Sequence, residues 1–484
     1  MKLSAIMQGT GARGGAGSDP EIVRVTGDSR EVVPGALFFA LPGAERDGHA
    51  FVADAVARGA AAVVAERPVA CSPAALLLAP STRRAMALAA ASFHGRPADA
   101  LALAGVTGTN GKTTVAWLVE ACARAAGVPV GMLGTVVHRW PGAERPAGHT
   151  TPESTTVQAL LAEMRAAGAR AAVLEVSSHA LAQDRVAGMR FRAAGFTNLT
   201  RDHLDYHGDM ERYFAAKRRL FLEHLAPDGV AVVNVRDAWG ARLADQLGPG
   251  RRLWRHGGRT GDELRAEDVR TGLSGTGATL HTPAGSLAIR SPLVGAHNLE
   301  NLLCAAGLAL ALDLPRDAVA RALSECPGAP GRLERVAARG VSVFVDYAHT
   351  DDALARALEA LRPLAPGRLL CVFGCGGDRD RGKRPLMGAA AARGADAVVV
   401  TSDNPRTEDP AAILAEIVPG LERAGLARAS AAALAQGARG FAVEPDRRAA
   451  IALAVAAARE GDAVLVAGKG HEDYQIVGRE RLPF

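Results

Sequence analysis

The sequence predicts an α/β protein of three domains: a small N-terminal α/β domain at 1–99, a central domain on a mostly parallel sheet at 100–331, and a C-terminal Rossmann-like α/β domain at 332–484. Three observations predict it. The 484 residues exceed what one hydrophobic core organises, since a domain takes about 150 residues. Short apolar runs alternate with helical stretches along the chain, the rhythm of strand and crossover helix. A Pro/Gly-rich break, Cys326-Pro-Gly-Ala-Pro-Gly-Arg332, separates two such series.

In the N-terminal region the runs at 36–41, 61–65 and 75–79 lie between Gly/Pro turns and Ala-rich helical stretches, which suits a small sheet. From Leu101 a strand, a glycine loop and a helix over 115–126 follow in turn, with buried-strand candidates at 171–176, 191–198 and 230–235. After the break, further candidates stand at 341–346, 369–373, 397–401 and 463–467. Alternation of this kind is what parallel strands joined by crossover helices require.

Composition excludes several classes. Hydrophobic residues make up 48% of the chain and charged residues 22%, with mean hydropathy +0.07, so each domain has apolar material for a core. No apolar run approaches the roughly 18 to 20 residues of a membrane helix, and the stretch Met1 to Met7 is too short for a secretory leader. A cytoplasmic monomer without a membrane span is expected. Cys71, Cys122, Cys304, Cys326, Cys371 and Cys375 form neither a disulfide framework nor a paired zinc pattern, so they are expected to be reduced thiols packed as small hydrophobes. The net charge of +5 raises the possibility of nucleic acid, but the arginines are interspersed with acids and aromatics are only 4%, too few for base stacking. No nucleic-acid partner is expected.

Of the 56 basic residues only five are lysine: Lys2, Lys112, Lys217, Lys383 and Lys469. This chain uses arginine wherever a generic positive charge serves. A lysine that remains points to chemistry only a compact or deprotonatable amine offers.

Two glycine patterns mislead. Gly9-Thr-Gly11-Ala-Arg-Gly14 fits GxGxxG, but its continuation, Gly15-Ala-Gly-Ser-Asp-Pro20, cannot open a helix; it reads as a flexible N-terminal segment. Gly374-Cys-Gly376-Gly377-Asp378-Arg379 follows a strand but lacks the third glycine, and reads as a ligand loop at a strand's carboxyl end. The strong signal is Thr107-Gly108-Thr109-Asn110-Gly111-Lys112-Thr113-Thr114, between a strand and a helix. Backbone N–H groups of such a loop point at phosphate oxygens, Lys112 neutralises the terminal phosphates, and the Thr113 hydroxyl can ligate Mg²⁺. Val106 stands where the general GxxxxGK[ST] pattern has its first glycine. Glu175 ends a strand beside this loop, where a carboxylate can hold a metal ion. The segment from Thr197 to Gly208 adds imidazoles and carboxylates, including His203, at a third strand end. Lys217 sits beside Arg218 and Arg219 on an amphipathic stretch, where a plain surface charge would be arginine.

These residues resemble the Mur ligases, ATP-dependent amide-bond formers of peptidoglycan assembly, over nearly the whole chain, and most nearly the branch that adds diaminopimelate as the third residue of the stem peptide. Residues 107–114 are similar to the family's phosphate loop, and the segment His203 to Lys217 to the one whose lysine is carboxylated by CO₂. Gly295-Ala-His-Asn298-Leu-Glu-Asn301 resembles the segment near the nucleotide base; Gly331-Arg332 and Asp346-Tyr-Ala-His349 resemble the stretch that closes over ATP. The resemblance implies that Arg379, Asp403, Asn404, Pro405, Arg406, Gly468 and Glu472 meet diaminopimelate. It implies that Ser29, Thr150, Thr151, Ser177, Gln183 and Arg185 meet a UDP-muramoyl dipeptide; Gly27 and His149 depart from the family pattern. Domain roles follow: UDP-sugar binding at 1–99, ATP binding at 100–331 and amino-acid binding at 332–484.

The implied chemistry is attack of a D-glutamate γ-carboxylate on the ATP γ-phosphate, giving an acyl phosphate that the incoming amine displaces. Two Mg²⁺ ions are implied, held by Thr113 and Glu175 and by His203 with carboxylated Lys217. Lys112, Lys217, His203 and Glu175 form the catalytic set. Arg406 suits the distal carboxylate that diaminopimelate has and L-lysine lacks, which disfavours a lysine-adding ligase. A folylpolyglutamate-synthetase-like enzyme is disfavoured by the N-terminal domain and Asp403-Asn-Pro-Arg406, and a nucleic-acid-bound phosphate-loop ATPase leaves the amino-acid motifs unexplained.

Overall fold

Each apolar run singled out in the sequence becomes a strand in the computed structural model, which describes residues 1–15, 19–43, 47–257, 261–337, 340–470 and 472–483. The chain folds into two compact units: residues Met1–Arg265 with Thr282–Gly285 and Leu303–Val319, and residues Ala266–His281 with Ser286–Leu302 and Ala320–Phe484.

The first unit holds two sheets. The smaller has the order Arg13–Gly14, Ala75–Leu78, Ala62–Ala65, Ala36–Phe39, Arg24–Thr26, parallel except at its first edge. Strand alternation sends Leu37 and Phe39 to a core shared with Met86 and Ala89 of helix Thr82–Phe93, and Ala36 and Phe38 to a core shared with Val52 and Ala55 of helix Val52–Ala57. The expected flexible N-terminal segment is corrected here. Leu3–Met7 is a helix whose Leu3 and Ile6 are buried, Arg13 and Gly14 pair with Leu78 and Leu77, and Lys2 Nζ donates to Asp19 O at 3.1 Å. Gly14 lies so close to Leu76 O that a Cβ would stand 2.6 Å from it. Pairing of Arg13 and Gly14 with strand Ala75–Leu78 orders the described part of a glycine-rich stretch that local propensity leaves open; residues 16–18 lie outside the described residues.

The larger sheet has the order Arg252–His256, Leu225–Asn234, Phe191–Phe196, Ala102–Thr107, Ala171–Glu175, Val130–Leu133, Val137–Trp140, Ala143–Pro146, and only its last two pairings, on either side of Val137–Trp140, are antiparallel. Helix Lys112–Ala125 buries Val115, Leu118, Val119 and Cys122. In register, Glu175 lies beside Val106 and Phe196 beside Thr107, so three neighbouring strands end side by side. A ligand site in an open parallel sheet forms at such carboxyl ends.

The second unit holds a six-stranded sheet of order Glu334–Ala337, Ser342–Asp346, Ala463–Ala467, Leu369–Phe373, Ala397–Val400, Gly440–Val443, antiparallel only at its first pair. Helices Asp351–Leu361, Lys383–Gly394 and Pro410–Arg423 supply Leu358, Met387 and Ile417 to one face, and helix Arg447–Ala457 supplies Ala450 and Ala454 to the other. The sequence reading did not anticipate the antiparallel sheet of Arg265–Gly272, Gly275–Thr282 and Gly285–Ser291, nor the hairpin of Tyr474–Val477 and Glu480–Pro483. All six cysteines are buried. Among the described residues no helix is long and apolar enough to cross a membrane.

His256 ends its strand fully buried, and neither ring nitrogen finds a hydrogen-bond partner among the described residues. Burial pulls its pKa from 6.5 down to about 3. A folded-state pKa below the unfolded one contributes stability that is full above about pH 6.5 and lost as the pH falls toward 3. The urea midpoint of the wild type is therefore expected to fall more steeply between pH 6.5 and pH 4 than that of His256→Leu; parallel profiles would contradict this.

Candidate active site

Strand Ala102–Thr107 runs into the glycine loop and helix Lys112–Ala125 opens from it. Gly108 takes φ +150°, and a Cβ there would lie 1.9 Å from Thr197 Oγ1, so only glycine closes the loop against the neighbouring strand end. Asn198 pins the loop from that side, accepting from Thr109 N at its carbonyl (2.9 Å) and from Asn110 N at Oδ1 (3.0 Å). Lys112 Nζ folds back onto Gly108 O and Thr109 O, both at 2.9 Å. Helix N-terminal N–H groups with a neighbouring ammonium form a cradle for phosphate oxygens.

The Glu175 carboxylate is fully buried beside this loop. It accepts from Thr113 Oγ1 at 3.0 Å, Thr135 N at 2.8 Å and Thr135 Oγ1 at 2.9 Å. Thr135 Oγ1 lies 3.0 Å from Thr150 Oγ1, and Thr151 Oγ1 donates to Glu175 O at 2.7 Å and accepts from Ser177 N at 3.0 Å. Arg185 completes the chain: Nη1 donates to Thr151 O at 2.7 Å, Nη2 to Gln183 Oε1 at 2.8 Å, and Glu153 pairs with it at 2.6 Å. Thr150, Thr151, Ser177, Gln183 and Arg185 are thus brought together around Glu175. Ser29 stands apart, on the short turn Ser29–Glu31 of the smaller sheet's layer.

On the other side of the loop, rings gather around His179: His203 at 4.8 Å, Tyr206 at 4.3 Å and His207 at 5.5 Å between centroids. His207 stacks on Tyr213 at 5.0 Å, and Tyr213 Oη lies 3.2 Å from Thr109 Oγ1. Burial holds all three imidazoles below their ordinary pKa, His207 at about 4, and so keeps them neutral and able to act as ligands at neutral pH. Lys217, on helix Met210–Arg219, is 1% exposed; its Nζ lies 4.6 Å over the Tyr213 ring and donates to Gly108 O at 2.7 Å. Lys112 and Lys217 therefore share one carbonyl. Burial first, and the Lys112 charge second, push the Lys217 amine well below its ordinary pKa.

In the second unit the site residues follow the carboxyl ends of neighbouring parallel strands. Asp346 accepts from Leu333 N and Ala348 N, each at 2.8 Å, with its pKa raised by burial, and the Arg332 guanidinium lies 5.4 Å over the Tyr347 ring. The loop after Leu369–Phe373 packs on the loop after Ala397–Val400 through glycines: a Cβ at Gly377 would stand 1.9 Å from Pro405 O, and Gly377 N donates to Asn404 O at 2.9 Å. Arg406, at φ +52°, donates from Nη1 to Gly377 O at 2.7 Å. A Cβ at Gly468 would approach Asp403 Oδ2 to 2.7 Å. Glu472 accepts from Gly470 N at 3.2 Å, and Arg379 is exposed, donating to Asp378 O. Asp403, Asn404, Pro405, Arg406 and Gly468 thus share one locale. Asn298 and Asn301 are not joined to it: both are buried on helix Ala296–Ala311, bonded to each other at 3.0 Å and, from Asn298, to Val294 O at 2.8 Å.

Sequence reasoning missed Thr135, Asn198 and Arg384. Thr135 could have been noticed as the hydroxyl following Gly134 after a strand, and Asn198 as the amide beyond Phe191–Phe196. Arg384 carried no signal. It is fully buried, donating to Glu408 (3.0 and 2.8 Å) and Glu416 (2.8 Å), and Glu408 in turn accepts from Asp378 N at 2.6 Å.

A phosphate cradle with buried acidic and basic groups at its rim, and in the second unit a cluster of polar groups at strand ends, are the features of an ATP-dependent ligase, and family comparisons agree. The descriptions that match are Mur ligase family, catalytic domain, at residues 21–132; Mur ligase middle domain, at 106–309; and Mur ligase, glutamate ligase domain, at 331–470. The chain belongs to the Mur ligase family. It is 49% identical to a UDP-N-acetylmuramoyl-L-alanyl-D-glutamate–2,6-diaminopimelate ligase of Parasynechococcus marenigrum (strain WH8102), over 100% of this chain and 96% of that protein. A ligase of the same name from Geobacter metallireducens is 49% identical over 94% of this chain and 91% of its own length. A solved structure of a ligase of that name aligns with TM-score 0.70 at 35% identity, covering 96% of this chain and 92% of that one.

Gly134 leaves no room beside Glu175: a Cβ would stand 2.6 Å from Oε1. Gly134→Ala must displace the carboxylate from its three donors and is expected to lower stability by about 1–3 kcal/mol, read as a fall in thermal midpoint. Gly148→Ala, with nothing within 4 Å of its Cβ, is expected to leave the midpoint unchanged.

Proposed function

We propose that the protein is an ATP-dependent ligase joining meso-2,6-diaminopimelate to the D-glutamate γ-carboxylate of UDP-N-acetylmuramoyl-L-alanyl-D-glutamate, through an acyl phosphate, in cytoplasmic synthesis of peptidoglycan precursors. The observation that carries this reading is the Glu175 network. One buried carboxylate is bonded to the phosphate loop through Thr113 and to the Thr150–Arg185 group through Thr135 and its own carbonyl. That is the adjacency a nucleotide and its acceptor need.

In this reading Gly108, Thr109, Asn110, Gly111, Lys112, Thr113 and Thr114 bind the triphosphate, and Asn298, Asn301, Arg332 and Asp346 are the second unit's nucleotide-binding residues. Ser29, Thr150, Thr151, Ser177, Gln183 and Arg185 hold the UDP-muramoyl dipeptide. An oxygen of its γ-carboxylate attacks the γ-phosphorus and ADP leaves; the diaminopimelate amine then attacks the acyl carbon, phosphate leaves and the amine sheds a proton. Two anions meet in the first step, so positive charge from Lys112 and the loop N–H groups is the chief requirement. The neutral Lys217 amine adds CO₂ and releases a proton. The carbamate is an anion that Lys112 attracts, where the ammonium form would be repelled, a change no guanidinium can make.

The donor set fits Mg²⁺ on one condition. Thr113 and Glu175 offer hard oxygens, and neutral His203 offers a nitrogen, but a Lys217 ammonium would repel a divalent cation, so Lys217 fits only as the carbamate. When bound, Mg²⁺ supplies charge neutralisation between the phosphates and the acceptor carboxylate. Arg379, Asp403, Asn404, Pro405, Arg406, Gly468 and Glu472 hold the amino acid, with Arg406 on the distal carboxylate and Asp403 or Glu472 receiving the distal ammonium. The three larger sheets support domains at 1–99, 100–331 and 332–484 for the UDP-sugar, ATP and amino acid respectively. The protein works as a cytoplasmic monomer on small molecules, without nucleic acid.

Phosphate release in the presence of ATP, Mg²⁺ and the UDP-muramoyl dipeptide is expected to require meso-diaminopimelate, with L-lysine at least roughly 10³-fold poorer because it offers the Arg406 charge no carboxylate. Release stimulated by DNA and indifferent to these substrates would overturn the reading. Lys217→Arg is expected to lose most activity, and Lys217→Ala to regain part of it with short carboxylic acids; a fully active Lys217→Arg would exclude the carbamate.

A further inference from the structure

Lys469 is one of the few lysines this chain retains, and the proposed mechanism gives it no part. It follows strand Ala463–Ala467 by way of Gly468, and its side chain is 2% exposed. Nζ donates to Asn404 Oδ1 at 2.8 Å, lies 3.6 Å from Asp403 Oδ1 and sits 5.6 Å over the Tyr474 ring. A second donor, Ile476 N, reaches the same Asn404 Oδ1 at 2.8 Å. An ammonium and a backbone N–H can only donate, so the amide atom facing them must be the oxygen. The amide nitrogen, with both its hydrogens, is what half-buried Asn404 has left to offer a ligand.

The backbone around Asn404 leaves this amide little freedom. Gly377 N donates to Asn404 O at 2.9 Å, Gln475 Nε2 to Asp403 O at 2.6 Å and Arg406 N to Ile476 O at 3.0 Å. Asp403 is 5% exposed, and its charge is answered by Lys469 from within the protein. The walls are tight: a Cβ at Gly468 would stand 2.7 Å from Asp403 Oδ2, and one at Gly470 would stand 3.1 Å from Gly331. A compact ammonium fits such a space where a broad planar guanidinium would not.

We infer that Lys469 is a positioning residue for the amino-acid substrate, holding the Asn404 amide nitrogen outward so that Asn404 and Arg406 together present donors to a carboxylate. This rests on the amino-acid site proposed above. It also accounts for a lysine in a chain that elsewhere uses arginine.

The test is a double-mutant cycle on the full-length protein with meso-diaminopimelate, ATP and the UDP-muramoyl dipeptide, each variant first checked for an intact thermal transition. Lys469→Met is expected to raise KM for diaminopimelate roughly tenfold or more, while KM for the other two substrates stays within about twofold. Lys469→Arg is expected to change in the same direction, and Lys469→Gln, which keeps an N–H donor, to be the mildest. If Lys469→Met fails to fold, Lys469→Gln carries the comparison. Lys469 acts through Asn404, so Lys469→Met added to Asn404→Ala is expected to cost nothing further. Independent, additive losses, equal rises in all three KM values or an unchanged diaminopimelate KM would overturn the inference. A wild type that ignores diaminopimelate would instead overturn the functional reading, so the two failures are distinguishable.

Discussion

Glu175 ends a central strand with no exposure to solvent, and its carboxylate accepts hydrogen bonds from Thr113 Oγ1, Thr135 N and Thr135 Oγ1. A buried carboxylate without such donors would cost several kcal/mol, so the surrounding structure is built to meet it. Thr113 comes from the first turn of the phosphate-loop helix, Thr135 from the segment after Val130–Leu133, and Gly134 must lack a side chain for the approach to occur. Through the Glu175 carbonyl, Thr151 is held in place, and through Thr151 the Ser177 and Arg185 groups. Both halves of the proposed chemistry in the first unit hang on this one group.

The other side of the loop is governed by charge. Two lysines donate to Gly108 O, and the buried one is depressed by desolvation and by its neighbour's charge. The nearby imidazoles are likewise kept neutral by burial. Burial and the Lys112 charge both disfavour the ammonium form of Lys217, which is a physical motive for the proposed carbamate, since as an anion the same side chain is attracted to Lys112. In the second unit the same economy is achieved with backbone. Glycines at 374, 377 and 468 bring loops from adjacent strands within contact, and Arg384 with Glu408 and Glu416 braces them from beneath.

Much of this was legible because it is local. The apolar runs predict the strands, and the loop at residues 107–114 is recognisable because strand, glycines, lysine and helix follow one another directly. What was not legible depends on partners distant in the chain. The N-terminal glycine-rich stretch reads as flexible, yet Leu3 and Ile6 bury against a helix some eighty residues later. The antiparallel sheet between residues 265 and 291 carries no sequence motif. Arg384 has no signature, and the roles of both Thr135 and Arg384 stay hidden in the sequence because their partners lie 40 and 24 or 32 residues away.

The lysines mark the division most clearly. The sequence alone singled out the positions worth asking about, because a chain with five lysines among 56 basic residues advertises each one. It also determined the fold class and the phosphate loop, whose physics is carried by neighbours in the chain. Only the tertiary structure decided what those lysines face: Gly108 O for Lys112 and Lys217, His349 O for Lys383, and the Asn404 amide oxygen for Lys469. The reason is physical. A side chain's pKa and the orientation of its partner are set by burial and by charges from remote segments, and those come into being only when the strands are laid side by side.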